Sequence, residues 1–406
     1  MNAELRKYPY PYKAMLAICS DLDETPDKRV YFEMCKYLNS TEETDYGPGL
    51  GMEVGNSIYF DMPQGQFSYW NTDDSGRNMI HKLIESGHID CLHSFGDLTK
   101  TRERVIENWS VLREQGFDLK VWIDHAQAPT NLDPDIMQGK GALIDSNTYH
   151  TDVTISEEGI KYVWKGRVTS IIAQNVKRTY RGLFTIAHPL RSSKTILIEF
   201  AKGVLGFIGN KKYAMHAANS IMRDTTLEDG KKVIEFMRTN PSWAGVSVFE
   251  KGKDIGEVLT EKFLNVLIEE EGCSILYTHL GKIDNSTDPF GYSGRQAFQM
   301  LKENYESGEI LVLTTRRLLD YNFAQRSIVF TTENSGDDYI IHIASDGVGA
   351  DELGGLTWYV ENPDKVKIYL RGRQIDNVQI NKEDSSGRKS ITIPFQRLKL
   401  PQYINM

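Results

Sequence analysis

Cysteine is scarce in this chain: four in 406 residues (Cys19, Cys35, Cys91 and Cys273), with no CxxC pair among them. That excludes a disulfide scaffold and reads as reduced, buried thiols. Long apolar runs are also lacking, and no uninterrupted one can span a bilayer. The nearest, Thr195 to Asn210 (TILIEFAKGVLGFIGN), is broken by Glu199 and Lys202. It reads as a buried strand and loop, with a peripheral contact to a membrane surface or a partner as the alternative. The opening MNAELRKYPYPYK lacks the apolar core of a signal peptide, so the expected location is cytoplasmic. Excess positive charge is missing too. A formal net charge of -9 argues against general binding to nucleic-acid backbones. Arg167, Lys177, Arg178, Arg181, Arg191 and Lys194 do cluster in mid-chain, as a solvated face or a local basic groove.

What the chain has is alternation. Apolar strand-like runs at 13–20, 88–93, 119–123, 161–164, 274–278 and 310–314 are separated by stretches with helical spacing, such as 28–38 and 100–115. Helices are also expected at 229–238 and 255–271, and residues 167–210 look like an insertion. Over about 300 residues this pattern signals a parallel α/β architecture. From about Gln325 the texture becomes short β-type runs between Gly- and Asp-rich turns. The expected domains are therefore an α/β barrel over 1–325 and a small all-β, sandwich-like domain over 326–406.

Polar clusters sit at the ends of several strands, where barrels and open α/β sheets place their active sites. The stretch GHIDCLHSFGD carries His93 and Asp97, which can converge on a metal if the chain turns helically after the strand. SDLDE carries Asp21 and Asp23, two apart and so able to face one site from an extended chain. WIDH adds Trp122, Asp124 and His125, and YTH ends in His279. The competing reading for each is a helix cap, a core residue or a loop-holding hydrogen bond. His125 alone can be a ligand, a substrate contact or a loop anchor. In YHTD, Asp152 can orient a histidine or cap a helix.

Taken in order, LAICSDLDE, GHIDCLHSFGD, VWIDH and ILYTH resemble the motifs of a divergent polysaccharide deacetylase of the NodB-homology type, related to carbohydrate esterase family four. The resemblance runs over roughly 13 to 325 and is carried by short motifs only. It implies a distorted (β/α)7 barrel, a divalent metal (usually Zn2+) and a carbohydrate substrate. It further implies Asp21 as base, Asp23, His93 and Asp97 as metal ligands, and His279 as the acid that protonates the departing amine. Read from the residues themselves, Trp122 can stack on a sugar ring or fill the core, and Asp124 and His125 are candidate substrate contacts. Two departures stand out: Asp97 replaces a histidine of the family's GHxxxxH(S/T)xxH motif, and the arginine–proline motif is absent. A glycoside hydrolase on a related barrel and a non-catalytic carbohydrate-binding scaffold are the alternative readings.

Overall fold

The computed structural model describes residues 3–22, 25, 28–124, 128–241, 251–336, 338–344 and 348–402. Its centre is the strand Ala14–Asp21, in which every residue is buried. A parallel strand covered on both faces needs a continuous apolar run, and AMLAICS supplies it. On one side it pairs in parallel with Cys273–Thr278. On the other, its upper half pairs with Gly55–Ile58 and its lower half with Ile310–Leu313. From Gly55–Ile58 the parallel ladder continues through Ile89–Leu92, Val121–Ile123 and Tyr162–Trp164.

The sheet curls. Lys232–Phe236 pairs with Tyr162–Trp164, and Arg238–Thr239 pairs with Cys273–Thr278, with Met237 alone between the two segments. One continuous stretch of chain thus reaches from one end of the ladder to the other, giving an α/β, barrel-like, parallel-rich sheet. Helices cover it: Lys28–Asn39, Asp74–Glu85, Arg102–Glu114, Glu261–Glu269, Gly291–Glu306 and Thr315–Ser327. Their starts are legible in the caps, where Asp73 accepts from Gly76 N at 2.8 Å and Thr260 Oγ1 from Phe263 N at 3.1 Å.

Two local expectations are corrected. Residues 229–238 form no helix; Lys232–Phe236 is a strand, hairpinned to Met222–Thr226. Asp229-Gly230 makes the turn, with Gly230 at φ +87°, and KVIEF then suits an extended chain. Residues 195–210 form no strand, for Pro189–Phe207 is a 19-residue helix. Its buried positions Ser192, Thr195, Glu199 and Gly203 fall at helical intervals, a pattern hidden because they are the polar ones.

The C-terminal region holds two small sheets, one of which takes in Glu4–Leu5 from the far end of the chain. Trp358, Ile341 and Ile368 belong to the same buried cluster as Leu16, Ile275 and Val312, so this region shares the barrel's core. Among the described residues no helix is long and apolar enough to cross a membrane.

Candidate functional site

Strand register assembles the site. Thr278 lies opposite Ser20, Asp21 opposite Ser57, and Ile58 opposite Leu92. The residues at or just beyond these positions, Asp21, Tyr59, His93 and His279, therefore emerge at one level, at the carboxyl ends of four parallel strands. Two hydrogen bonds fix the last of them: Thr278 Oγ1 donates to Cys19 O at 3.1 Å, and Leu280 N to Ser20 Oγ at 2.9 Å.

Asp21 is the hub. Its Oδ2 lies 2.9 Å from His93 Nε2 and 3.3 Å from His279 Nε2. Ser57 Oγ donates to Oδ1, and the Tyr59 hydroxyl reaches Oδ2 at 3.5 Å. The Tyr277 hydroxyl joins the two imidazoles, 3.0 Å from His93 Nε2 and 3.3 Å from His279 Nε2. Tyr59 stacks on His93 with ring centroids 4.3 Å apart. Burial alone would raise the Asp21 carboxyl; His93, His279 and the Ser57 hydroxyl outweigh it and hold it at about 2. Asp21 and His93 are wholly enclosed, whereas the His279 side chain keeps 12% of its surface open. His279 is thus the member of the trio that can meet a ligand.

Arg238, which the sequence did not single out, is buried beside this group. Its guanidinium carbon lies 4.0 Å from the ring centroids of both Trp164 and Tyr277. Its Nε and Nη2 have no hydrogen-bond partner among the described residues, so the two ring faces are what hold the cation. Burial lowers its pKa, while Cys19 and Asp21 act in the opposite sense. The residue was hidden because 229–238 read as a helix. The Asp-Gly turn followed by KVIEF was the signal that could have found it.

The helical turn expected after His93 does not form. Ser94, Phe95 and Gly96 instead take φ of +49°, +43° and +107°, and the Phe95 ring packs against Phe60, Trp109 and Trp122. Consecutive left-handed residues outside glycine are strained, and they sit directly beside a site residue. Asp97 follows on a half-buried loop position.

Of the remaining residues named from sequence, Trp122 and Asp124 are turned inward. Trp122 has none of its surface exposed, and its Nε1 donates to Asp124 Oδ1 at 2.6 Å. Asp124 also accepts from Leu132 N at 3.0 Å and Asp133 N at 2.7 Å, anchoring that loop. Burial pushes its carboxyl up to about 6 despite these bonds. Asp152 forms a two-pronged pair with Arg102, both contacts at 2.6 Å, and among the described residues it orients no histidine. His150 is held by Thr154 and the Thr130 carbonyl, and burial keeps its imidazole down at about 4. Asp23 and His125 lie outside the described residues.

Imidazole and carboxylate are donor types that suit zinc. Among the described residues, however, no three His, Cys, Asp or Glu side chains are placed to share an ion. The ligand set implied by the resemblance requires Asp23 as well. Set against protein-family models, curated proteins and solved structures, the chain matches none.

Proposed function

We propose that the protein is a hydrolase that removes acetyl groups from a carbohydrate, with its chemistry at the Asp21–His93–His279 cluster. One observation supports this reading above others. Two histidines and an aspartate singled out from three separate sequence motifs meet at the carboxyl ends of parallel strands, with both imidazole Nε2 atoms within 3.3 Å of Asp21 Oδ2. The barrel type proposed with it is a (β/α)7 barrel, supported by the stretch 232–239 that joins the two ends of the parallel ladder.

The residues divide the work by burial. Asp21, with its carboxyl held at about 2, stays ionised across the physiological range and is a weak proton acceptor. Its part is to orient the two imidazoles and to stabilise a positive charge on either. His279, the open member, moves the proton of the reaction, taking one from the attacking water or giving one to the departing amine. His93, stacked on Tyr59 and enclosed, holds its position. The Tyr277 hydroxyl, between both rings, keeps them in one hydrogen-bonded unit. His93, with Asp97 and Asp23, would hold a divalent ion such as Zn2+, and the chemistry supplied there would be Lewis-acid polarisation of the acetyl carbonyl and activation of water.

Acetate release from acetylated oligosaccharides tests the reading, with zinc-loaded and chelator-treated protein compared. The zinc-loaded protein is expected to release acetate, and His279→Gln to abolish release while retaining the fold. No acetate from a broad panel sinks the deacetylase reading; new reducing ends in its place would assign a glycoside hydrolase.

A further inference from the structure

The helix Pro189–Phe207 is inside out. Its inner face is polar or small: Glu199, fully buried, accepts from Thr169 Oγ1 at 2.8 Å and Ser170 N at 3.1 Å and pairs with Lys202 at 2.8 Å. Gly203 on the same face leaves no room for a Cβ against the Arg178 guanidinium. The opposite face is apolar and open to solvent. Leu190, Leu197, Phe200, Val204 and Phe207 are exposed on it, with Leu197 at 67% and Phe207 at 88%. Ile208 extends the patch beyond the helix end, and Ile186 precedes it at 88%. Scattered exposed apolar residues need no explanation, but a continuous stripe along a five-turn helix does.

Charge supplies the second observation. Between Gly166 and Met222 nine Lys and Arg occur with a single acidic residue, Glu199, in a chain whose net charge is -9. Arg167, Arg178, Arg181, Lys202 and Lys212 pair with carboxylates, so the cations that count toward a docking surface are Lys177, Lys194 and Lys211. Lys194 lies beside Leu197 on the exposed side, Lys211 follows the patch just past Ile208, and Lys177 is exposed in the same insertion. Two copies meeting face to face would bring these cations together. An anionic lipid surface neutralises them while burying the stripe. We propose that this helix lies in the interface of an anionic bilayer and docks the protein there reversibly, without spanning it. The inference is independent of the chemistry proposed for the barrel.

Co-sedimentation of the full chain with vesicles tests it, using pure phosphatidylcholine and mixtures with phosphatidylglycerol. Binding is expected only to the anionic vesicles and to weaken with salt. Lys194→Glu with Lys211→Glu should weaken it by about fivefold or more per cation removed. Leu197→Glu with Phe207→Glu should abolish it, and because these side chains are exposed the melting temperature should not fall. Sedimentation velocity without lipid should show no association through this face. Failure to bind anionic vesicles overturns the proposal. A dimer that Leu197→Glu dissolves also overturns it, and assigns the stripe to a second copy of the chain.

Discussion

Asp21 Oδ2 and His93 Nε2 lie 2.9 Å apart with neither side chain exposed. A carboxylate that is buried and yet held at about 2 must be stabilised by its partners by more than burial destabilises it. The folded-state pKa is below the unfolded value, so the stabilisation is present above about pH 4 and is lost as pH falls toward about 2. The shift corresponds to about 2 kcal/mol. Thermal or denaturant melts of wild type should show stability falling across that window. Asp21→Asn should flatten the dependence there and lower stability at neutral pH. An unchanged acid limb in the variant would contradict the assignment.

Arg238 makes the opposite kind of contribution. A buried guanidinium held mainly by two ring faces has been desolvated without full hydrogen-bond compensation. Arg238→Met keeps the bulk and removes the charge, so stability should be unchanged or should rise by about 1 kcal/mol or more. If the cation positions Tyr277 and through it the imidazoles, hydrolysis should fall by on the order of tenfold or more, with a shifted pH profile. Denaturant midpoint and pH–rate profile, measured on one variant, separate the two effects. A variant that loses stability and keeps its pH profile would make Arg238 a structural residue.

The strand ends were the legible part of this molecule. LAICSD, HIDCLH and ILYTH each show an apolar run stopping at a charged or imidazole residue, and parallel register then brings Asp21, His93 and His279 to one level. Residues that act through tertiary contact left weaker traces. Tyr59 stacks on His93, and that contact depends on the pairing of Gly55–Ile58 with Ile89–Leu92. Arg238 lies at the end of a stretch whose spacing reads as a helix but which forms a strand. The helix Pro189–Phe207 was misread because hydrophobic patterning assumes that the apolar face turns inward, and here it turns out.

Asp124 separates site from scaffold. Its carboxyl is raised to about 6 by burial, so between about pH 4 and 6 the folded state retains a proton that the unfolded state has lost. Its contribution to stability therefore falls as pH rises through that window. Asp124→Asn retains one acceptor oxygen for the Leu132 and Asp133 amides and should abolish this pH dependence. Because the carboxylate is spent on Trp122 and that loop, KM for a carbohydrate substrate should change by less than about threefold, near the usual net worth of one hydrogen bond. A large rise in KM with kcat unchanged would return Asp124 to the substrate-binding set.

The strained turn after His93 carries the last prediction. Gly96 has φ +107°, and a Cβ there would run into the Asp61 carbonyl. Asp61 fixes the next stretch of chain: its carbonyl accepts from Leu98 N at 3.1 Å, and its carboxylate from Thr99 Oγ1 at 2.8 Å. Gly96→Ala combines an unfavourable left-handed backbone with a backbone collision, and should cost more than about 1 kcal/mol. Gly116→Ala is the control, since Gly116 also has positive φ (+71°) but nothing within 4 Å of the added Cβ. It should lose less stability and keep full activity. If the turn sets the position of His93, Gly96→Ala should also move the imidazole away from Asp21, seen as a shifted His93 titration by NMR. Equal losses in both variants, with the His93 titration unmoved, would reduce Gly96 to an ordinary turn glycine.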